Sequence, residues 1–328
     1  MWHTCVVPSI YDDKPVELQR IRTVALAGRP AKVSVRDFAR ELPSGQGLLS
    51  WLESLPNILA GKSLRELVAA IQGARCDGKP IVWGLGGHVV KCGLGPVLLG
   101  LMRRGYVTAL AMNGSAAVHD VEIALCGSTS EEVEEALADG SFGMAEETGR
   151  LLATASELAG KEGIGLGEAL GQVVTAQAPQ EAGLSASLLP SAYRARVPVT
   201  VHVAIGTDTP HMHPAFDAAA HAAASHRDFR LFCELVRKLE GGGVYLNLGS
   251  AVLLPEVFLK AVTVVRNLGH PLARFYTANL DFLQHYRPTQ NVVRRPTAAG
   301  GKGWALTGHH EIMVPLLAAL LTAAPDAN

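Results

Sequence analysis

Five short apolar runs along the chain are each followed by a turn that contains glycine, asparagine or aspartate, and then by a helix-like stretch. The runs occupy residues 80–87, 107–114, 197–208, 243–250 and 273–279. Near-continuous apolar runs of this length are typical of strands that are buried on both faces of a parallel sheet. The pattern therefore predicts an α/β fold with a doubly wound, mostly parallel sheet.

The segments between and around these runs predict the domain organisation. Residues 1–79 have helix-period leucines, with Ser63 as an expected N-cap, and we interpret them as a helical lead-in packed on the main domain. The main α/β domain is expected to span 80–328 and to carry a helical insertion over 128–192. Residues 281–304 are rich in arginine, proline, glycine and asparagine, which predicts a long functional loop.

Composition excludes several classes of protein. The chain has 328 residues, 48% of them hydrophobic, and a formal net charge of −1. We therefore expect a sizeable core and no nucleic-acid surface, which would need a concentrated basic face. No apolar stretch reaches membrane-spanning length and no signal peptide is evident, so we expect a cytoplasmic protein without a membrane partner. The five cysteines lack a Cys-x-x-Cys pair, which predicts reduced, mostly buried thiols.

Polar residues at the ends of the apolar runs predict a cofactor site. Parallel sheets bind ligands in the crevice beyond the carboxyl ends of their strands, and backbone N–H groups at helix starts bind phosphate. The Gly-rich turn over residues 84–88 lacks the full Gly-x-Gly-x-x-Gly pattern, so an ordinary tight turn is the alternative. The expected cofactor-binding residues are Gly86, Gly87, Asn113, Gly249, Ser250 and Thr277.

Histidines and acids near the same strand ends are the candidates for catalysis. His119 or His211 is the expected general acid or base, because histidine titrates near neutrality. His211 and His213 would face one side of an extended segment and could bind one zinc or other divalent ion. Otherwise such histidines form hydrogen bonds in a polar cleft or cap helices. The full candidate set is His119, Asp208, His211, His213, His309, His310 and Glu311.

Short motifs over roughly residues 80–320 resemble the deoxyhypusine synthase family. The family's Gly-Gly stretch followed by Lys-Cys is similar to Gly86-Gly87 with Lys91-Cys92, and Cys92 beside Lys91 is expected to have either a lowered pKa or a packing role. The further similar segments are Val197-Pro198-Val199 with Thr207-Asp208, Leu248-Gly249 with Arg266-Asn267-Leu268-Gly269, Tyr276-Thr277-Ala278, and Val314-Pro315-Leu316-Leu317.

This resemblance implies a Rossmann-type domain that binds NAD over the strand ends, in a tetramer with sites at dimer interfaces. The family oxidises spermidine with NAD and transfers a butylamine group through an imine on a lysine. The comparable segment, 288–296, has no lysine, and arginine stands near the lysine position. Because arginine stays protonated, it cannot form the imine, so we expect a divergent member that does not make deoxyhypusine.

We therefore expect a deoxyhypusine-synthase-like, NAD-binding enzyme that acts on a small polar substrate, assembled as a dimer or tetramer. Two alternatives remain open. One is a metal-dependent hydrolase or lyase that uses the histidines and acids to hold an ion that activates water. The other is a non-catalytic, nucleotide-binding oligomer.

Overall fold

The computed structural model describes residues 9–178 and 183–323. Predictions for residues 1–8, 179–182 and 324–328 lie outside the described residues. The described chain forms one six-stranded sheet in which all strands are parallel, in the order β3-β2-β1-β4-β5-β6. The strands are β1 (Ile81–Leu85), β2 (Ala109–Asn113), β3 (Val199–His202), β4 (Val244–Leu248), β5 (Tyr276–Asp281) and β6 (Lys302–Thr307).

Helices cover both faces of this sheet, so the predicted doubly wound α/β fold is confirmed. Along β1, Val82 packs with the helices of one face, whereas Ile81 and Trp83 pack with those of the other. Both faces are apolar, which is why the central strands have continuous rather than alternating hydrophobic sequences. The Trp83 indole N–H donates to Tyr106 O at 2.8 Å, so the one polar atom of this buried ring is paired.

The helices follow the strands in the order expected for parallel crossovers. Before β1 come α1 (Leu48–Ser54) and α2 (Leu59–Cys76); the others are α3 (Gly87–Lys91), α4 (Gly95–Arg103), α5 (Gly114–Cys126), α6 (Val133–Asp139), α7 (Glu146–Glu162), α8 (Leu166–Gln177), α9 (Leu188–Ala195), α10 (Ala218–Arg237), α11 (Leu253–Asn267), α12 (Tyr286–Pro288) and α13 (His310–Thr322). A π-helical segment, Thr289–Arg294, continues α12. Helices α10 and α11 cover one face of the sheet, and α2, α4 and α13 cover the other.

Two predictions of local structure are wrong. Ser63 is not an N-cap, because α2 already begins at Leu59. The expected loop over 281–304 instead contains α12, the π-helical segment and the start of β6. The search for continuous apolar runs did not predict β6, because this strand lies at the edge of the sheet. Only its Trp304 and Leu306 are buried, and its other residues are exposed or partly exposed.

Two buried carboxyl groups attach the predicted helical insertion to the sheet. Asp120 of α5 accepts hydrogen bonds from the backbone N–H groups of Leu188 and Leu189, at the start of α9. Asp228 of α10 accepts from the N–H groups of Gly167 and Val201, each at 2.8 Å. Burial raises the pKa of Asp120 to about 6 and that of Asp228 to about 7, against these hydrogen bonds, which lower both.

Within the described part of the lead-in, α2 is buried in the core whereas residues 10–38 are largely exposed. Helix α2 packs into the core through residues such as Leu67 and Ile71, which are fully buried. Residues 10–38 instead contain three short 3-10 turns and expose apolar side chains, Ile10 and Val16 among them. No helix within the described residues is long and apolar enough to cross a membrane.

Candidate functional site

The sheet reverses its strand order between β1 and β4, and a glycine turn follows each of these two strands. Gly86 donates to Leu248 O at 2.8 Å, and Gly249, with φ of +64°, donates to Leu280 O at 3.3 Å. A Cβ atom on Gly86 would lie 2.1 Å from Gly249 O. The two turns therefore touch through bare backbone, at the topological switch point where α/β sheets bind ligands.

Gly87 brings the turn after β1 against α5. A Cβ atom at Gly87 would lie 2.2 Å from Ser115 Oγ and 3.3 Å from His119 Cδ2. The His119 side chain is 17% exposed, so it lies at the boundary between the interior and solvent. The structure thus places His119 next to the glycine turn of the switch point.

A hydrogen-bond relay fixes the orientation and the tautomer of His119. Thr129 donates its single hydroxyl proton to Glu122 Oε2, so its oxygen can only accept from His119 Nδ1, which lies 2.7 Å away. In the neutral form of the ring, the proton is therefore on Nδ1 and the lone pair on Nε2. Burial raises the pKa of Glu122, but hydrogen bonds from His119 and Thr129 outweigh it and hold that pKa below its usual value.

A cavity of about 770 Å³ opens on the other side of this relay. Its volume falls within the usual range for small-molecule sites, about 300–1,000 Å³. It is lined mainly by acids, hydroxyl groups and small residues: Glu122, Leu125, Cys126, Ser128, Thr129, Ser130, Glu131, Ala145, Glu147, Thr148 and Gln177. Three carboxyl groups in the lining favour a ligand with hydroxyl or amino groups.

Another cavity, of about 610 Å³, lies elsewhere, at the amino end of the edge strand β3. Its lining includes Glu168, Arg194 and Arg196, and none of the candidate residues for catalysis or cofactor binding. The cavity of about 770 Å³ is the better candidate, because Glu122 and Thr129 of the His119 relay line it.

Side-chain amides line the ends of β4 and β5. Asn247 donates to Asn279 Oδ1 at 2.7 Å and to Ser250 O at 2.9 Å, and Asn279 donates to Gln284 Oε1 at 2.8 Å. The Oδ1 atom of the fully buried Asn247 has no hydrogen-bond partner among the described residues. Ser250 uses its hydroxyl to accept from the N–H of Leu254, at the start of α11.

The predicted residues after β6 lie close to the start of α3. His310 is fully buried and donates from Nε2 to Leu280 O at 3.1 Å, whereas its Nδ1 has no partner in the described structure. Its ring is 5.6 Å from the ring of His88, centroid to centroid. Glu311 lies 3.9 Å from Cys92 Sγ, measured at Oε2, and 3.8 Å from His309 Nδ1, measured at Oε1.

Cys92 is half-buried, and its pKa is raised rather than lowered. Burial is the largest cause, the negative charge of Glu311 and a hydrogen bond to it add to the effect, and Lys91 opposes it. The expectation of mostly buried thiols is also wrong for the described cysteines, because Cys76 and Cys126 are exposed and Cys233 is buried.

His211 and His213 do not share one binding site. The segment Thr209–Met212 forms a 3-10 helix rather than an extended strand, so residues two apart no longer face the same side. His211 Nδ1 accepts from the backbone N–H of Asp208 at 3.2 Å. His213 Nε2 instead lies 3.2 Å from Glu146 on α7. The expectation that this pair holds a metal ion therefore fails.

Asp208 and His211 form a local pair beside α5. The Asp208 carboxyl packs so closely on Gly114 that a Cβ atom there would lie 2.0 Å from Oδ2. Burial raises the pKa of Asp208, while His211 and Thr207 partly oppose this rise. Burial lowers the pKa of His211, and the charge of Asp208 partly offsets that change. Asp208 Oδ2 has no hydrogen-bond partner among the described residues, so a catalytic role for this pair stays a prediction.

Two of the expected cofactor residues have local partners. Thr277 is buried within β5, where its hydroxyl donates to Val292 O at 2.8 Å, so it lies inside the sheet rather than in the crevice. Asn113 caps α5, because its side chain accepts from the N–H of Ala116 at 2.9 Å. Asn113 stands at the end of β2, where dinucleotide-binding folds often have an acid that binds the ribose.

No expectation for Thr129 or His88 came from the sequence, and for Cys92 the sequence predicted only a lowered pKa or a packing role. Thr129 gave no signal, because its role depends on a fold that brings it back to α5. His88 and Cys92 did offer one: residues four apart on a helix lie on the same face. Their proximity to Glu311, more than 200 positions later in the chain, required the structure.

Comparisons with known proteins agree with the fold. No protein-family model matches the chain, and no curated protein matches its sequence. A conserved protein from Methanococcus maripaludis S2, provisionally described as LOR/SDH, has a structure that matches with a TM-score of 0.51 and 15% identity over 81% of this chain and 70% of that protein. At such low identity the likeness shows the fold alone.

Two further solved structures match less well. A protein from Entamoeba histolytica, provisionally described as a deoxyhypusine synthase, matches with a TM-score of 0.49 and 8% identity, over 87% of this chain and 96% of that one. AgrE, in a ternary complex with ornithine and NAD+, matches with a TM-score of 0.47 and 17% identity, over 81% of this chain but only 34% of AgrE. The strand order and the Methanococcus match confirm that this chain has the predicted doubly wound, Rossmann-type fold.

Proposed function

We propose that this protein binds NAD or a related dinucleotide at the switch point and uses it for hydride-linked chemistry on a small polar substrate. His119 carries the proposal, because it lies between the glycine turn at Gly87 and the cavity lined by Glu122 and Thr129. His119 is adjacent to the cofactor region and is linked to the cavity through its hydrogen bond to Thr129.

The residues at the switch point fit a dinucleotide. The bare backbone at Gly86 and Gly249 permits close approach of a pyrophosphate, and α11 begins just after Ser250 with the positive end of its dipole at this edge. The unpartnered Asn247 Oδ1 can accept a hydrogen bond from an amide or hydroxyl group of such a ligand. When bound, a nicotinamide cofactor supplies hydride acceptance or donation.

His119 supplies the proton chemistry in this proposal. Its Nε2 lone pair can take a proton from a substrate hydroxyl or amino group, while Nδ1–H stays hydrogen-bonded to Thr129. Ionised Glu122, 3.6 Å from His119 Nδ1, then stabilises the imidazolium that forms. The relay resembles in logic a base oriented by a third group, as in catalytic triads.

Binding is tested by melting the full chain with NAD, NADH or NADP at about 100 times the dissociation constant. At that excess a ligand stabilises the folded state by about 2.7 kcal/mol, which corresponds to a shift of roughly 5 °C. Binding of NAD and of NADP is compared because an acid at the end of β2 would repel the 2′-phosphate of NADP, whereas the neutral Asn113 would not. Absence of a melting shift and of calorimetric heat with all three nucleotides would refute the proposal.

The role of His119 is tested without knowledge of the substrate. Nitrogen NMR of labelled histidine should show the Nδ1–H tautomer at His119, and Thr129→Val should relax that preference while the fold melts normally. His119→Asn should keep nucleotide binding but abolish NAD reduction with any active member of a panel of amino and hydroxy acids. His226→Asn, at an exposed histidine on α10, is the matched control. An Nε2–H tautomer in the wild type contradicts the assigned role.

Nucleotide binding without turnover of any panel member would favour the non-catalytic alternative. In that case the histidine tautomer would still report the relay, and the cavity would serve as a ligand site alone. The binding and tautomer measurements therefore remain separable from the question of substrate identity.

A further inference from the structure

His88, Cys92 and Glu311 form a cluster that the His119 relay does not use. Their ligand atoms all lie within 4.8 Å of one another, and within residues 9–178 and 183–323 they are the one such group of three. His88 lies on α3, Cys92 is its C-cap four residues later, and Glu311 lies in the first turn of α13. The strands before these helices, β1 and β6, bring the three residues to one edge of the sheet.

The separations of the donor atoms fit a tetrahedral metal ion. With zinc–sulfur, zinc–nitrogen and zinc–oxygen bonds of about 2.3, 2.0 and 2.1 Å, tetrahedral angles put ligand atoms about 3.4–3.6 Å apart. His88 Nε2 lies 3.3 Å from Cys92 Sγ, and Cys92 Sγ lies 3.9 Å from Glu311 Oε2. The third pair, His88 and Glu311, lies within 4.8 Å, so side-chain shifts of up to about 1 Å would complete the geometry.

We propose that His88, Cys92 and Glu311 bind one zinc ion. Imidazole, thiolate and carboxylate donors together suit zinc, whereas magnesium and calcium prefer oxygen ligands alone. His88 and Glu311 are exposed and Cys92 is half-buried, so an ion can enter from solvent. Binding releases the Cys92 thiol proton to solvent as the zinc–sulfur bond forms, and no electrons are transferred.

The surroundings of the cluster support a bound cation. A Cys92 thiolate beside the Glu311 carboxylate would place two negative charges 3.9 Å apart, and a divalent ion converts this repulsion into attraction. His309 Nδ1, at 3.8 Å, faces the second oxygen of Glu311 and can orient it. The unpartnered Nδ1 of buried His310 marks a further polar group beside the His88 ring.

Three protein ligands leave a fourth position open, which is the arrangement of catalytic rather than structural zinc sites. The open position can hold water or an oxygen of a substrate. The site goes beyond the proposed function, because neither nucleotide binding nor the His119 relay requires an ion. It also replaces the pair His211 and His213 as the location for a metal.

The experiment uses the full chain, stripped with a chelator and titrated with Co²⁺ in the absence of nucleotide. Wild type should bind about one cobalt ion per chain and develop a thiolate-to-cobalt absorption band together with tetrahedral ligand-field bands, both displaced by Zn²⁺. Cys92→Ser should abolish the thiolate band. His88→Ala and Glu311→Gln should each weaken binding by at least about 100-fold, since even partners outside the ligand set cost about 10–100-fold.

Cys126→Ser is the matched control, because Cys126 is an exposed thiol outside the cluster. It should bind cobalt like the wild type. Equal binding by all variants, loss of the band in Cys126→Ser, or no binding by the wild type would each overturn the proposal. His88 and Glu311 are on the surface, so their variants decide the question even if Cys92→Ser fails to fold. Nucleotide melting shifts are measured separately with chelator present, so failure of one proposal leaves the other testable.

Discussion

The buried carboxyl group of Asp228 should make the free energy of unfolding fall as pH rises, and the substitution Asp228→Asn should remove this contribution. Asp228 is fully buried, and its Oδ2 accepts from the N–H groups of Val201 and Gly167. Its Oδ1 has no hydrogen-bond partner in the described structure. An asparagine side chain has the shape of the protonated acid and carries no charge at any pH, so the informative change is Asp228→Asn.

The magnitude follows from the raised pKa. Burial raises the pKa of Asp228 from 3.8 to about 7, and the nearby charge of Glu168 adds to this effect. Between these values the folded state keeps the proton and the unfolded state loses it, so the free energy of unfolding falls as pH rises. A pKa shift of roughly three units, at about 1.4 kcal/mol each, corresponds to about 4 kcal/mol of unfolding free energy. This contribution is fully present below about pH 4 and is lost above about pH 7.

Wild-type stability alone would hide this effect. Burial lowers the pKa of His202 to about 3 and that of His221 to about 4. Each histidine therefore contributes stability that increases with pH up to about 6.5, opposite in sign to the contribution of Asp228. The difference in unfolding free energy between Asp228→Asn and wild type removes these shared contributions.

Urea unfolding from about pH 4 to pH 8, followed by two spectroscopic probes, measures that difference. At pH 4 the variant should lie within about 1–3 kcal/mol of wild type, because the Asn amide group replaces the carboxyl group at an unpartnered position. By pH 8 it should have gained about 4 kcal/mol relative to wild type. Asp77→Asn, at an exposed aspartate, is the control and should run parallel to wild type. Parallel curves for Asp228→Asn would show that Asp228 is ionised in the folded protein, and the reasoning would be refuted.

Three further predictions concern the core, the chemistry and the assembly. Glu66→Ala should cost about 1–3 kcal/mol of unfolding free energy in urea, because it removes the acceptor of the buried Trp304 indole N–H, now at 2.9 Å. Borohydride treatment with NAD and spermidine should leave no amine adduct on residues 288–296 by peptide mass spectrometry, since this segment has no lysine; an adduct there or on Lys302 would contradict the argument. Light scattering should give a mass of at least twice 34.6 kDa, because a monomer would expose the apolar side chains of residues 10–38 to water. A monomer mass at micromolar concentration would count against oligomerisation.

The strands of the sheet centre were predictable because burial on both faces leaves a simple signature. Five of the six strands lie within the predicted apolar runs or extend just past them. The sixth, β6, has its polar and apolar residues arranged for an edge position, so a search for continuous apolar runs missed it. Glycine turns at both switch-point strands were also evident, since bare backbone is required where two turns touch.

Side-chain clusters were less predictable, because they depend on contacts between distant segments. His119 could be selected as a histidine just after a strand, but its orientation depends on Thr129, which is brought back by the turn after α5. The pair His211 and His213 failed because spacing was interpreted with strand geometry in a segment that forms a 3-10 helix. Periodicity arguments hold only when the local conformation is known.

The two buried carboxyl groups make the helical insertion inseparable from the sheet. Asp120 holds the start of α9 at Leu188, and Asp228 holds the start of α8 at Gly167 together with β3. Excision of these helices would leave the buried Asp120 without its backbone donors and would leave Asp228 with the N–H of Val201 alone, so a shortened chain should fold poorly. In the intact protein, the amide protons of Gly167 and Leu188 should exchange with solvent only when the whole domain opens, and the insertion and the sheet should therefore form one cooperative unit.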